Sequence, residues 1–183
     1  MPPGNVFLDG FVVPVRRDGR VVRNPVLIAV GVRGSSEKVL LTLRLAGGES
    51  TAAWRSAVEN LAQRGVTGPA LGVVDGSPGL RAAVGAVWPD TLVGRCAVHK
   101  LHNLLAHAPR QPHEAIREDF HWITQAASLG SAKSEEGGPE LLTFYRFPKE
   151  QWKSLRTTNV IEAGRCRWTP PAPPIEESLV GND

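Results

Sequence analysis

NVFLDGFVVPV, residues 5–15, places an acid inside what otherwise reads as a buried β-strand. Val6, Phe7 and Leu8 precede Asp9, and Phe11, Val12 and Val13 follow it. An unpaired carboxylate in an apolar strand is costly, so its retention needs a reason. Asp9 can be a turn residue, an ion-pair partner or half of a metal site. A hairpin turn at Asp9-Gly10 fits badly, because the chain after Gly10 continues as strand.

Moving outward, Asp18-Gly19 is the better hairpin signal, flanked by β-rich runs at 6–16 and 20–32. Pro25 suggests an edge or a bulge in the second run. KVLLTLRLA, 38–46, alternates as a third strand, so the opening block is an antiparallel meander. The period then changes. In TAAWRSAVENLAQRG, 51–65, Trp54, Val58 and Leu61 share one helical face, with Ser50 as N-cap and Gly65 as the stop. PALGVV, 69–74, is a short apolar strand ending at Asp75, and Ser77-Pro78 opens a helix running to about 88. Residues 90–99 allow a fifth strand, and helices follow at about 99–107 and 113–128. This order predicts an α/β fold with a mixed sheet and helices packed on it.

Residues 1–128 thus form the expected core. LGSAKSEEGGPE, 129–140, reads as a linker, 141–168 as a denser segment with Phe144, Tyr145, Phe147 and Trp152, and 169–183 as a Pro-rich, extended tail. The 183 residues, 42% hydrophobic and 21% charged, suit one soluble domain. No apolar run is long enough to span a bilayer, and MPPGNVFLDG has no secretory pattern. Cys96 and Cys166 make no disulfide framework, so a cytoplasmic location is expected. The net charge of +3 is compatible with nucleic acid without being diagnostic. Arg95, Lys100, Arg110 and Arg117 cluster with His99, His102, His107 and His113 against the single acid Glu114. That segment is either a solvated helical face or a phosphate-contacting one.

Asp9 and Asp75 each end an apolar run and precede a glycine. On neighbouring strands their backbones would lie about 4.8 Å apart. The repulsion between them would be relieved by a shared divalent ion, and Mg²⁺ prefers such oxygens. The alternative for Asp75 is a helix-start turn in DGSPG. Glu162 is a third candidate, although in TTNVIEAGR it stands at capping-box spacing from Asn159. Cys96 and His99 form C-x-x-H; zinc would need two further ligands, with His102 nearby and Cys166 distant in sequence.

The ordered set VFLDGFVVPVR, LGVVDGSPGLRAAV, VWPD followed by RCAVHKLHNLL, and FPKEQWKSLRTTNVIE closely resembles the mutator-type transposases of bacterial insertion sequences. The likeness runs from about 5 to 128 and from about 140 to 162. It implies a ribonuclease H-like core: a meander of three strands, then two parallel strands, with helices on both faces and the first and fourth strands adjacent. It implies an Asp-Asp-Glu triad of Asp9, Asp75 and Glu162 that holds two Mg²⁺ or Mn²⁺ ions, with Cys96 and His99 as a further family motif. The implied chemistry is cleavage and transfer of DNA strands, with Arg95, Lys100 and Arg110 against phosphates. Implied partners are transposon-end and target DNA, and other copies of this chain or full-length transposase, on the nucleoid.

Three departures qualify these expectations. Family members carry an end-recognising region before the first catalytic strand. The stretch from Asp75 to Glu162 is shorter than usual, which places a deletion at 129–140. After Glu162, AGRCRWTPPAPPIEESLVGND with Pro170 and Pro171 replaces a long basic helix. A truncated core with a poorly placed Glu162 and impaired strand cleavage is therefore expected. One alternative is an inactive remnant that binds DNA or full-length transposase. A second is a metal-dependent nuclease or phosphatase domain.

Overall fold

The computed structural model describes residues 4–17, 19–46, 50–126, 138–158, 161 and 167–168. Strand β1 (Asn5–Arg17) turns at Gly19, whose φ of 74° is available to glycine without strain, into β2 (Arg20–Val32). Arg17 pairs with Arg20, which gives the two-residue loop expected at Asp18-Gly19, although Asp18 itself lies outside the described residues. β3 (Lys38–Leu45) completes the meander, antiparallel to β2. β4 (Leu71–Val74) then pairs parallel with β1, and β5 (Leu92–Arg95) parallel with β4.

Among the described residues the sheet order is β5-β4-β1-β2-β3-β6, where β6 (Arg167–Trp168) is a two-residue strand parallel to β3. The first five strands make the ribonuclease H-like arrangement, with the first and fourth adjacent. The sixth was not expected, because the Trp-Thr-Pro-Pro context around it reads as tail. Pro25 marks an edge and not the bulge. The irregularity of β2 falls between Ala29 and Val30, and Pro25 sits just past the end of β3, where that side of β2 becomes free, its carbonyl accepting from Ala46 N–H at 2.9 Å. A residue without an N–H is tolerated there because β3 does not extend past it.

Alternation along β1 and β2 sorts side chains between two cores. Val6, Leu8, Leu27 and Ala29 face α1 (Thr51–Gln63) and α2 (Pro78–Val87), where they meet Trp54, Val58, Leu61, Leu80 and Val84. Ser50 caps α1 as expected, its Oγ accepting from Ala53 N–H at 3.2 Å. Phe7, Val30, Leu71 and Val73 face the other way, onto Cys96, Phe144 and Leu155. That second face is covered by α3 (Ala97–His107), α4 (His113–Gln125), the 3₁₀ turns Pro139–Arg146 and Lys149–Gln151, and α5 (Trp152–Leu155). Helices thus occupy both faces.

Residues 139–158 belong to the second core. Thr143 Oγ1 donates to Val93 O at 2.9 Å, and Tyr145 Oη donates to Ile123 O and Ala126 O, each at 3.1 Å. Residues 129–137 of the expected linker and the whole 169–183 tail lie outside the described residues.

Candidate active site

Asp9 and Asp75 arrive at one level of the sheet by strand register. Val6 lies opposite Gly72 and Phe7 opposite Val73. Two residues further on, β1 reaches Asp9, and the other chain, one residue past the end of β4, reaches Asp75, near enough that its charge acts on Asp9. Each carboxylate has an oxygen anchored by a backbone N–H just ahead of it. Gly10 N–H donates to Asp9 Oδ1 at 2.9 Å, and Ser77 N–H to Asp75 Oδ1 at 2.7 Å. The Asp75 bond is an Asx-turn that launches α2, so the turn reading of Asp75 and a ligand role coexist. Ser77 occupies the N-cap position, but its side chain makes no cap bond.

Asp9 is only 8% exposed. Burial pushes its pKa above the ordinary 3.8; nearby His99 and a hydrogen bond from Thr158 oppose this, and the Asp75 charge adds to it. The His99 imidazole Nε2 stands 3.9 Å from Asp9 Oδ1. A hydrogen bond with Cys96 pushes the His99 pKa up to about 9; burial opposes it and the charges of Asp9 and Asp75 assist. His99 is therefore an imidazolium at neutral pH, facing two carboxylates.

Cys96 and His99, three apart at the start of α3, meet through a residue that motif spacing did not single out. Thr158 is 2% exposed. Its N–H donates to Cys96 Sγ at 3.3 Å, and its hydroxyl, with one proton to give, lies between Cys96 Sγ at 3.4 Å, His99 Nδ1 at 3.5 Å and the Asp9 carboxylate. Burial opposes ionisation of the Cys96 thiol, and the hydrogen bonds from His99 and Thr158 outweigh it, so its pKa falls below the usual value. Cys96 N–H donates to Val74 O at 2.8 Å and Ala97 N–H to Arg156 O at 2.7 Å, so α3 starts two residues earlier than expected. In sequence Thr158 was legible only as part of TTNVIE, since a threonine alone signals no chemistry.

The chain leading to Glu162 is thus docked beside Asp9. Arg156 Nη1 donates to Thr124 O at 2.9 Å, Leu155 joins the second core, and Ile161 packs against that core while its N–H donates to Thr158 O at 2.8 Å. Glu162, its expected cap Asn159 and Cys166 lie outside the described residues.

The expected phosphate contacts separate. Arg95 ends β5 and its guanidinium lies over Gly76, next to Asp75. The φ of +99° at Gly76 favours glycine, and a Cβ there would come within 2.5 Å of Arg95 Nε and push the guanidinium aside. Arg95 Nε is buried with no hydrogen-bond partner among the described residues. Lys100 lies one turn into α3 and is half-buried. Arg110 is exposed beyond the far end of α3, about 16 Å of helix from the carboxylates.

Among the described residues no group of three or more His, Cys, Asp or Glu side chains is placed to hold a metal ion. The Asp9 and Asp75 carboxylates, at the same end of the sheet, are hard oxygen donors of the kind that suits Mg²⁺ or Mn²⁺.

Residues 4–138 match the family model described as "Transposase, Mutator family". The transposase for insertion sequence element ISRM5 of Rhizobium meliloti is 33% identical, over 88% of this chain and 46% of that protein. The IS905 transposase of Lactococcus lactis is 31% identical over 86% and 45%, and the IS6120 transposase of Mycolicibacterium smegmatis 33% over 86% and 54%. The chain spans about half the length of the curated relatives it matches. Among solved structures, the HTLV-2 integrase catalytic core domain in complex with magnesium is a loose likeness. It has TM-score 0.35 and 13% identity, over 73% of this chain and 94% of that one. The matched span includes Asp9, Asp75, Cys96 and His99. By sequence the chain belongs to the Mutator family of transposases.

Proposed function

We propose that this chain is the carboxylate core of a divalent-metal-dependent DNA strand transferase. The observation that carries the reading is the parallel pairing of β1 with β4, which brings Asp9 and, one residue past the end of β4, Asp75 to the same end of the sheet. Asp9 and Asp75 would hold the metal, with Glu162 as a third donor delivered by the segment anchored at Thr158. When bound, Mg²⁺ or Mn²⁺ supplies Lewis acidity toward a phosphate and lowers the pKa of a coordinated water. The residues do the rest. Burial and the neighbouring acid disfavour the ionised Asp9, so the site gains from any cation placed between the two. Protonated His99, 36% exposed, orients Asp9 Oδ1 and presents positive charge where a phosphate would lie. Lys100 extends that positive field along α3, and Arg110 continues it from the α3–α4 connection.

The partners in this reading are duplex DNA and other transposase chains, with the protein on the nucleoid. The test is strand nicking of an insertion-sequence-end duplex in Mg²⁺ or Mn²⁺. Any nicking by wild type should be weak, as expected of a core with a shortened approach to Glu162, and Asp9→Asn should abolish it. Metal-dependent nicking that survives both Asp9→Asn and Asp75→Asn sinks the assignment. Duplex binding without nicking in wild type selects instead the non-catalytic reading, in which the chain binds DNA or full-length transposase.

A further inference from the structure

β1 and β2 do not stop at the site. β4 ends at Val74 and β3 at Leu45, opposite Val26, which itself pairs with Phe11. Beyond that level β1 and β2 continue alone, Val12 opposite Pro25 and on to Arg17 opposite Arg20. At strand rise, this free two-stranded ribbon projects about 20 Å, from the same strand end that carries Asp9. Its tip is basic. Arg16, Arg20 and Arg23 are exposed, Arg17 pairs with Arg20 in the backbone, and the only acid in residues 10–32 is Asp18. Among the described residues, Arg16, Arg20 and Arg23 form none of the observed ion pairs. The ribbon contributes little to the core: Val12 is 49% exposed, Val21 62% and Val22 41%.

Long exposed ribbons are a liability for edge pairing, and Pro14, Pro25 and charged residues do blunt one. That role explains a charge or two; it does not explain arginines on both faces of the tip. Arg16 and Arg23 lie on the α1 face by alternation, while Arg20 lies on the Asp9 face. The major groove of B-DNA, about 12 Å wide, admits a two-stranded β-ribbon, with arginines reaching the phosphates on either side.

We propose that the β1–β2 ribbon is a DNA-binding arm whose arginines contact the phosphate backbone of the duplex served by the carboxylate site. The inference rests on the DNA reading above and deepens it. The ribbon extends the duplex footprint about 26 Å beyond Asp9.

The test measures duplex binding by fluorescence anisotropy over a salt series without divalent metal, so catalysis does not enter. The ribbon variant is Arg16→Gln/Arg20→Gln/Arg23→Gln. A charge-matched control, Arg33→Gln/Arg55→Gln/Arg64→Gln, removes the same charge elsewhere, and an Arg-to-Lys triple at the ribbon keeps it in place. The ribbon variant should weaken binding at least tenfold and lower the salt slope by about 0.9 for each lost phosphate contact. The control should change binding by less than threefold, and the Lys triple should restore most of the affinity. Equal losses in the ribbon variant and the control overturn the arm, because net charge alone would then explain both. Unchanged binding in the ribbon variant overturns it as well, while leaving the DNA reading intact. A wild type that binds no duplex overturns the DNA reading and the arm together.

Discussion

The carboxyl of Asp9 is held above its ordinary pKa chiefly by burial, and this has a definite sign for stability. A carboxyl whose folded pKa is raised loses stability as pH climbs from 3.8 through the folded value, because the unfolded chain ionises more readily. At neutral pH without metal, Asp9 therefore destabilises the fold. Asp9→Asn should raise the Tm under those conditions, by about 2–4 °C if the relief is about 1 kcal/mol, and the gain should vanish at pH 3. A lower Tm in the variant at neutral pH would show that the His99 contact outweighs the burial. His99 gives a second reading of the same cluster. Its imidazole should titrate near 9 by NMR, against 6.5 for a free histidine, and Cys96→Ala should move it down toward 6.5, since the Cys96 hydrogen bond is the largest cause of the rise. An imidazole titrating near 6.5 in wild type would mean that the cluster does not form in solution.

At the scale of elements, the strands and helices were legible because their signals are local. The alternation of β1–β3, the glycine turn and the capped 51–63 helix each follow from a few neighbouring residues. The adjacency of β1 and β4 was not legible from pattern alone, since it is a long-range pairing; it followed from the family resemblance, and the observed register agrees. The docking of residues 156–158 against the start of α3 was not legible at all. It depends on Arg156 O meeting Ala97 N–H and on a buried threonine meeting a buried thiol, and no periodicity encodes either. The shortened stretch before Glu162 put the delivery of that side chain in doubt; the chain is held as far as Thr158, with Ile161 packed on the core, and Glu162 itself lies outside the described residues. Thr158→Val removes the hydroxyl that Cys96 and Asp9 share and leaves the backbone bond to Cys96. It should cost about 1 kcal/mol and lower the His99 pKa, while Thr158→Ser should do neither. A Val variant with an unchanged His99 titration would show that the hydroxyl does not organise the cluster.

At the scale of the molecule, two cores meet across one sheet, and the carboxylates sit where that sheet stops being covered on the Asp9 face. An ion that binds only the folded site stabilises the whole fold by mass action, by about 1.4 kcal/mol at ten times its dissociation constant. For a domain of this size that is a rise in Tm of about 3–6 °C. Wild type should show this rise with Mg²⁺ or Mn²⁺, and Asp9→Asn and Asp75→Asn should show none. Glu162→Gln then asks what the anchored segment delivers. If Glu162 completes the donor set, its loss should lower the metal affinity and shrink the rise at a fixed ion concentration, with the metal-free Tm unchanged. If the rise is the same as in wild type, the ion is held by the two aspartates alone. A rise that persists in both aspartate variants would place the ion elsewhere on the molecule and remove the physical basis for reading Asp9 and Asp75 as a metal site.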